Sequence, residues 1–112
     1  MPMRAETVYL GTDNKIGLTL SVDGVAISDH TAITRAVLTF GAPGNFLAAD
    51  AYLTIDSATT PAAFDFTDSA RLLLILGGQT IPRGKHNVTV TIYMPGYARG
   101  LAFDTALDLR VQ

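Results

Sequence analysis

The chain has 112 residues, of which 48% are hydrophobic and 16% are charged, and its formal net charge is −2. This length suits one domain with its own core, and the charged fraction lies below the roughly 25% usual for soluble domains. The weak negative charge and the lack of a basic stripe exclude nucleic acid as an expected partner. The chain contains no cysteine, which excludes a disulfide framework and a thiol nucleophile.

Neither a membrane span nor an export signal is predicted. The longest apolar run, Leu72–Leu76, is far too short to cross a bilayer, and no hydrophobic stretch follows Met1–Glu6. We therefore expect no membrane partner and a protein made and assembled in a cytoplasm. A small domain with so little charge either exposes apolar patches or packs against neighbours, so the composition indicates an assembled protein.

The first part of the chain predicts an arm followed by a hairpin. Residues 1–6 are polar and irregular, which indicates an N-terminal arm. Thr7–Leu10 has strand composition, and Lys15–Val22 alternates apolar and polar residues. Gly24 accepts the positive φ of a tight turn, so Val25–Ile27 is predicted to be a short return strand.

The middle of the chain contains four more predicted strands, separated by turn residues. A single helical turn, capped by Thr67 or Asp68, is expected just before the last of these strands, Leu72–Leu76. That last strand lacks alternation, and its short length favours a strand that is apolar on both faces over a helix. The four predicted strands are Ile33–Phe40, Ala51–Ile55, Ala63–Phe66 and Leu72–Leu76.

The clearest pattern lies at the end of the chain, where Gly84–Met94 and Leu101–Val111 both alternate. Since side chains alternate faces along a strand, each run predicts a strand with one buried and one wet face. Pro95–Gly100 contains two glycines and reads as the turn between them. The expected result is a long antiparallel hairpin that needs a second layer to cover its apolar face.

About seven to nine short strands, with turn signals every ten or so residues, predict an all-β fold. We expect residues 7–112 to form a single antiparallel β-sandwich domain, with a closed barrel as the alternative. No linker, internal repeat or low-complexity tract divides this range.

No residue pattern in the sequence is typical of catalysis. His30 and His86 are expected at the surface, and a metal site would require them to meet a carboxylate such as Asp29 or Asp104. The aspartates lie mostly in turns, where they cap the backbone, and no EF-hand spacing occurs around Asp13-Asn14 or Asp65–Asp68. We predict no enzyme activity, no cofactor and no metal site.

The best candidates for a contact surface are tyrosine, arginine and outward-facing leucine and isoleucine side chains. Tyrosines could alternatively stack on sugar rings, so carbohydrate is the second predicted ligand class, with Tyr52, Tyr93 and Tyr97 as the residues that would carry it. The absence of tryptophan counts against that alternative. The predicted protein-interface residues are Leu73, Ile75, Tyr93, Tyr97, Arg99 and, in the arm, Met1 and Arg4.

The complete strand pattern is similar to the immunoglobulin-like sandwich domains of tailed-bacteriophage virions. The resemblance rests on the Leu18–Ile27 hairpin, the following Thr34–Gly41 strand, the Ile81–Gly84 turn and the closing pair that ends at Val111. The chain departs from antibody-type domains because it lacks both cysteines and the core tryptophan.

The resemblance implies a non-enzymatic structural protein of a phage particle, located in the virion. It implies a small capsid decoration or minor virion protein that packs against copies of itself and against a capsid or tail protein. A tail or baseplate accessory protein is the first alternative, and a carbohydrate-binding β-sandwich module is the second.

Overall fold

The computed structural model describes residues 4–22, 24–41 and 52–112, and only the backbone of residues 4, 5, 22 and 104–107. These residues form ten strands and no α-helix, which confirms the all-β class. Short 3-10 turns occur at His30–Ala32 and Pro61–Ala63. The strands are β1 (Arg4–Val8), β2 (Lys15–Leu18), β3 (Ser21–Val22), β4 (Val25–Ala26), β5 (Arg35–Gly41), β6 (Leu53–Asp56), β7 (Phe64–Asp65), β8 (Leu72–Ile75), β9 (Gly84–Met94) and β10 (Tyr97–Val111).

The strands form a five-stranded sheet in the order β1-β10-β9-β5-β6, a three-stranded sheet in the order β2-β8-β7, and the two-stranded hairpin β3-β4. Every pair is antiparallel except β1 and β10, which run parallel with Arg4 opposite Leu107 and Val8 opposite Val111. The expectation of a purely antiparallel arrangement is therefore wrong for this one pair. Residues 4–6, assigned to the arm from the sequence, belong to β1.

Two local predictions differ from the structure for identifiable reasons. The predicted strand Lys15–Val22 is broken at Thr19–Leu20, because the Leu20 N–H donates to the His30 ring instead of to a neighbouring strand. The predicted helical turn before β8 is absent. Asp68 accepts a hydrogen bond from the Ala70 N–H at 2.8 Å, and such a side-chain bond favours a turn over a helix.

The long hairpin is present, but its turn is shorter than predicted. Met94 pairs with Tyr97, so the turn is only Pro95-Gly96, with Gly96 at φ +90°. The second glycine of the predicted loop, Gly100, lies at φ +87° where the β9–β10 register shifts. A residue in that conformation is typical of a β-bulge, so this glycine interrupts a strand rather than forming a loop.

One hydrophobic core lies between the two larger sheets. Alternate residues of β5 and β9 are completely buried on the inner face of the five-stranded sheet, as their alternation predicts. Leu72 and Leu74 of β8 face them from the three-stranded sheet. The fully buried members on β5 and β9 are Ala36, Leu38, Phe40, Val88, Val90 and Ile92.

Candidate functional site

His30 is completely buried, so the prediction of a surface histidine is wrong. Its Nε2 accepts the Leu20 N–H at 3.0 Å, and its Nδ1 lies 2.9 Å from the Ser69 carbonyl oxygen. Because a carbonyl only accepts, Nδ1 carries the proton and the imidazole is neutral. The ring thus connects the backbone at Leu20 and at Ser69 to the His30 turn, and both of its nitrogens are occupied by the backbone.

His86 is also buried, at 3% exposure, so the prediction that it lies at the surface is wrong as well. Its Nε2 lies 2.7 Å from the Pro82 carbonyl oxygen, and its Nδ1 is hydrogen-bonded to the Tyr52 hydroxyl. Its ring meets Phe40 edge-on at a centroid distance of 5.8 Å. Burial raises the pKa of the Tyr52 hydroxyl. This cluster closes the end of the hairpin where β9 begins.

The described residues contain no group of three or more histidine, aspartate or glutamate side chains that could hold a metal ion. The two histidines do not converge, since each ring is fixed by its own backbone partner. The side chain of Asp104 lies outside the described residues. The Asp65 carboxylate accepts hydrogen bonds from the Thr67 amide, at 2.9 Å, and from the Thr67 hydroxyl. These bonds, together with the bond from Lys15, lower the pKa of the Asp65 carboxyl to about 2.

The predicted contact residue Tyr93 is held within its own sheet. Arg35 lies over the Tyr93 ring with its Cζ 5.0 Å from the centroid, and it also bonds both carboxylate oxygens of Asp56. The Arg35 hydrogen bond is the main reason that the pKa of Asp56 falls to about 2. A Cβ added to Gly100 would lie 3.0 Å from the Tyr93 ring. The half-buried Tyr93 therefore makes internal contacts.

The predicted contact residues Leu73 and Ile75 lie on the outer face of β8 and are half-buried. Lys15 is paired with Ile75 on one side of β8, and Asp65 is paired with Leu73 on the other. The Lys15 Nζ reaches across β8 to the Asp65 Oδ2 at 3.1 Å. The alkyl stem of the lysine thus contributes intramolecular cover to this face.

The opposite end of the long hairpin is open. Tyr97 is 42% exposed and Val25, on the neighbouring β3–β4 hairpin, is 71% exposed. A groove separates these two hairpins, and none of its lining residues is charged. The lining residues are Val25, Ala26, Ile27, Ser28, Met94 and Tyr97. We call this groove and its rim the open end.

Of the predicted contact residues, Tyr97 and Arg99 lie at this open end and are exposed. Arg4 is in β1, paired with β10, while Met1 lies outside the described residues. The sequence did not identify Val25, although a β-branched residue directly after a turn glycine is a usable signal of an exposed hairpin tip. Met94, which the alternation assigned to the core, packs against the core from a half-buried position and also lines the groove.

The three tyrosines proposed for sugar stacking do not share a surface. Tyr52 is bonded to His86, whereas Tyr93 and Tyr97 lie near the turn at Pro95-Gly96. His86 and Met94 are eight residues apart along β9, roughly 27 Å at about 3.4 Å per residue. The described geometry therefore offers no common platform for a sugar chain.

Comparisons of the chain with protein-family models, with curated proteins and with solved structures found no match. Among the residues that the structure describes, no helix has the length and apolar character needed to cross a membrane.

Proposed function

We propose that this chain is a non-enzymatic structural protein of a bacteriophage particle, a small capsid decoration or minor virion protein. Its mechanism is protein–protein packing. The observation that carries the proposal is the open end, where two hairpins present an uncharged, largely apolar groove to solvent. Exposed apolar patches rimmed by polar residues are typical of interaction surfaces. The proposed partners are a second copy of the chain and a capsid or tail protein.

The finer fold that accompanies this proposal is an immunoglobulin-like sandwich. Two observations support it. The strand orders β10-β9-β5 and β2-β8-β7 resemble those of the two sheets of such a sandwich. The two sheets also share a single core, as the layers of a sandwich do.

The proposed location in a virion is tested with a phage lysate that contains the protein. Particles are separated on a density gradient, and the chain is quantified in each fraction by mass spectrometry. We expect it to travel with the particles and to remain with them after washing in high salt. Recovery only at the top of the gradient, as free protein, would contradict the proposal.

Separating heads from tails in the same lysate distinguishes the decoration protein from its first alternative. The chain is expected in the head fraction. Recovery with tails would replace the decoration assignment by a tail or baseplate accessory protein. Binding to purified host polysaccharide, in the absence of particles, would instead favour the carbohydrate-binding module.

A further inference from the structure

The His30 ring makes two hydrogen bonds that only a neutral imidazole can make together. The Leu20 N–H donates to its Nε2 at 3.0 Å, and its Nδ1 donates to the Ser69 carbonyl oxygen at 2.9 Å. A proton added at Nε2 would point at an amide, which can only donate. Protonation therefore removes the Leu20 bond and leaves a positive charge on a ring that is completely buried.

The His86 ring, in contrast, has partners that tolerate a second proton. Its Nε2 lies 2.7 Å from the Pro82 carbonyl oxygen, which accepts in either protonation state. Its Nδ1 is hydrogen-bonded to the Tyr52 hydroxyl, and a hydroxyl both donates and accepts. When Nδ1 carries a proton, this hydroxyl accepts from the ring and donates to the Gly41 carbonyl oxygen, 3.2 Å away. Both hydrogen bonds of His86 thus survive protonation, so this residue is an internal control for His30.

The bonds of His30 fix the base of the β3–β4 hairpin. Leu20 directly precedes β3, and its carbonyl oxygen accepts the N–H of Ile27, directly after β4, at 2.8 Å. The His30 backbone N–H also donates to the Ser69 carbonyl oxygen at 2.8 Å. The residue therefore joins the base of the hairpin to the segment that leads into β8. Residues 25–28 of this hairpin region line the groove at the open end.

The charged groups that flank these contacts do not replace the lost acceptor. Asp29 is exposed, and its carboxylate accepts hydrogen bonds from its own turn. Its charge favours a protonated His30 ring, but water and salt screen an exposed carboxylate. Beside Ser69, Asp68 and Arg71 form an ion pair with Nη2 3.1 Å from Oδ2. The residues on either side of Leu20 are uncharged.

We propose that His30 is a pH-sensitive switch, in which uptake of a second proton by its ring releases the β3–β4 hairpin and with it one wall of the open end. An imidazole in water is mostly protonated below about pH 6.5. Acid therefore favours the conformation in which the ring has left the core, because proton uptake and opening are linked. The Thr19 hydroxyl donates to the Ala70 carbonyl oxygen at 3.1 Å, and this bond contains no titratable group. We therefore expect β2 to stay in place while the hairpin opens.

His30 acts in this way whether or not the chain belongs to a phage particle. A partner at the open end meets a groove whose wall is fixed at neutral pH and released in acid. A chain that never travels with particles but releases the hairpin would leave the switch intact. A chain that travels with particles and keeps the hairpin closed in acid would refute only the switch.

The test is hydrogen exchange of the full chain, followed by NMR at the Leu20 amide. If only the open conformation takes up the proton, its population rises about 10-fold from about pH 7.5 to about pH 5.5. The protection factor of the Leu20 amide, which corrects for the direct effect of pH on exchange, should fall by the same factor. It should also lie below the protection factors of the β9 amides at both pH values, because the five-stranded sheet stays folded when the hairpin opens.

Two matched variants assign the effect to one ring. His30→Gln keeps an acceptor for the Leu20 N–H and has no titratable ring, so its Leu20 protection factor should change by less than about 2-fold over the same interval. His86→Gln removes the other buried imidazole and should retain the change of about 10-fold.

The native chain alone keeps the test decisive if His30→Gln does not fold. Its imidazole nitrogen chemical shifts should show the Nδ1–H tautomer of His30 at neutral pH, as the Ser69 bond requires. An Nε2–H tautomer, or a Leu20 protection factor that is constant with pH or equal to that of β9, would overturn the proposal. The same pH dependence in His30→Gln as in the native chain would also overturn it.

Discussion

The two ends of the β9–β10 hairpin contain similar residues but differ in what covers them. At the closed end, where β9 begins, Tyr52 is bonded to a buried histidine, His86, and that ring is bonded to the Pro82 carbonyl. At the open end, the Tyr97 hydroxyl makes no hydrogen bond within the described residues and the side chain is 42% exposed. The segments that carry Tyr52 and Pro82 cover the closed end of the hairpin and do not extend to the open end.

This contrast shows that an exposed aromatic side chain is not by itself a contact residue. Tyr52 is 51% exposed, slightly more than Tyr97, yet it is fixed by an internal partner. Among the residues that the structure describes, Tyr97 and Val25 have no such partner, and their exposed apolar surface can be buried by a second protein. Substitutions at the closed end should therefore change folding, and substitutions at the open end should change association.

The largest expected effect concerns His30, which anchors the Ser28-Asp29 wall of the open end to the core. His30→Ala leaves the buried Leu20 N–H without its acceptor and a cavity in place of a completely buried ring, while the Ser69 carbonyl keeps its bond from the residue 30 N–H, and we expect a loss of about 3 kcal/mol in the free energy of unfolding. Urea denaturation measures it. His30→Gln retains an acceptor for the Leu20 N–H and should recover part of the loss. A cost below about 1 kcal/mol would show that the wall is held by other contacts.

A smaller loss is expected at the closed end. His86→Ala removes the bond to the Pro82 carbonyl and the contact with Phe40, and should cost about 2 kcal/mol. Tyr52→Phe should cost about 1 kcal/mol, because it removes one hydroxyl from a site that is only partly buried. Both variants should associate like the native chain once folded. If either one weakened self-association as much as Val25→Ser at the open end does, the two ends would not be independent.

At the open end, Val25→Ser and Tyr97→Ser should each change the free energy of unfolding by less than about 0.5 kcal/mol, because both side chains are exposed. Thermal and urea denaturation at low protein concentration, where the chain is monomeric, measure this directly. A cost equal to that of His86→Ala would place these side chains in the core and end the distinction between the ends.

The last expected effect comes from acid and involves neither end. Asp56 and Asp65 have a pKa of about 2 in the folded chain, below the ordinary value of 3.8. The unfolded chain therefore binds more protons between these values, so stability falls as the pH drops from about 4 toward 2. Stability measured against pH should show this decline. Asp56→Asn should reduce it and leave self-association near neutral pH unchanged; an unaltered acid profile would contradict the assigned role of Asp56.

Much of the sheet structure could be predicted because apolar and polar residues alternate locally along the strands. The inner faces of β5 and β9 follow from their period-two pattern, and both are completely buried at their central positions. The hairpin turn was misplaced because a glycine in a loop and a glycine in a bulge have the same sequence signal; only the register separates Gly96 from Gly100.

The burial of the two histidines could not be predicted, because it depends on distant partners. Polar neighbours surround His30 in the sequence, yet Ser69, which is 39 positions away, receives its hydrogen bond. The parallel pairing of β1 with β10 likewise joins opposite ends of the chain. Val25 is exposed because no other described segment packs over it. A strand pattern alone does not show which segments pack over a given residue.

Hydroxyl-radical footprinting of the native chain over a range of concentrations would test the central claim most directly. Tyr97 at the open end, Tyr52 at the closed end and Tyr9 are 42%, 51% and 49% exposed, so all three react in the monomer. We predict that oxidation of Tyr97 falls as the concentration rises, while oxidation of Tyr9 and Tyr52 stays constant. Constant oxidation of Tyr97, or protection of Tyr52 in its place, would contradict the assignment of the open end as the contact surface.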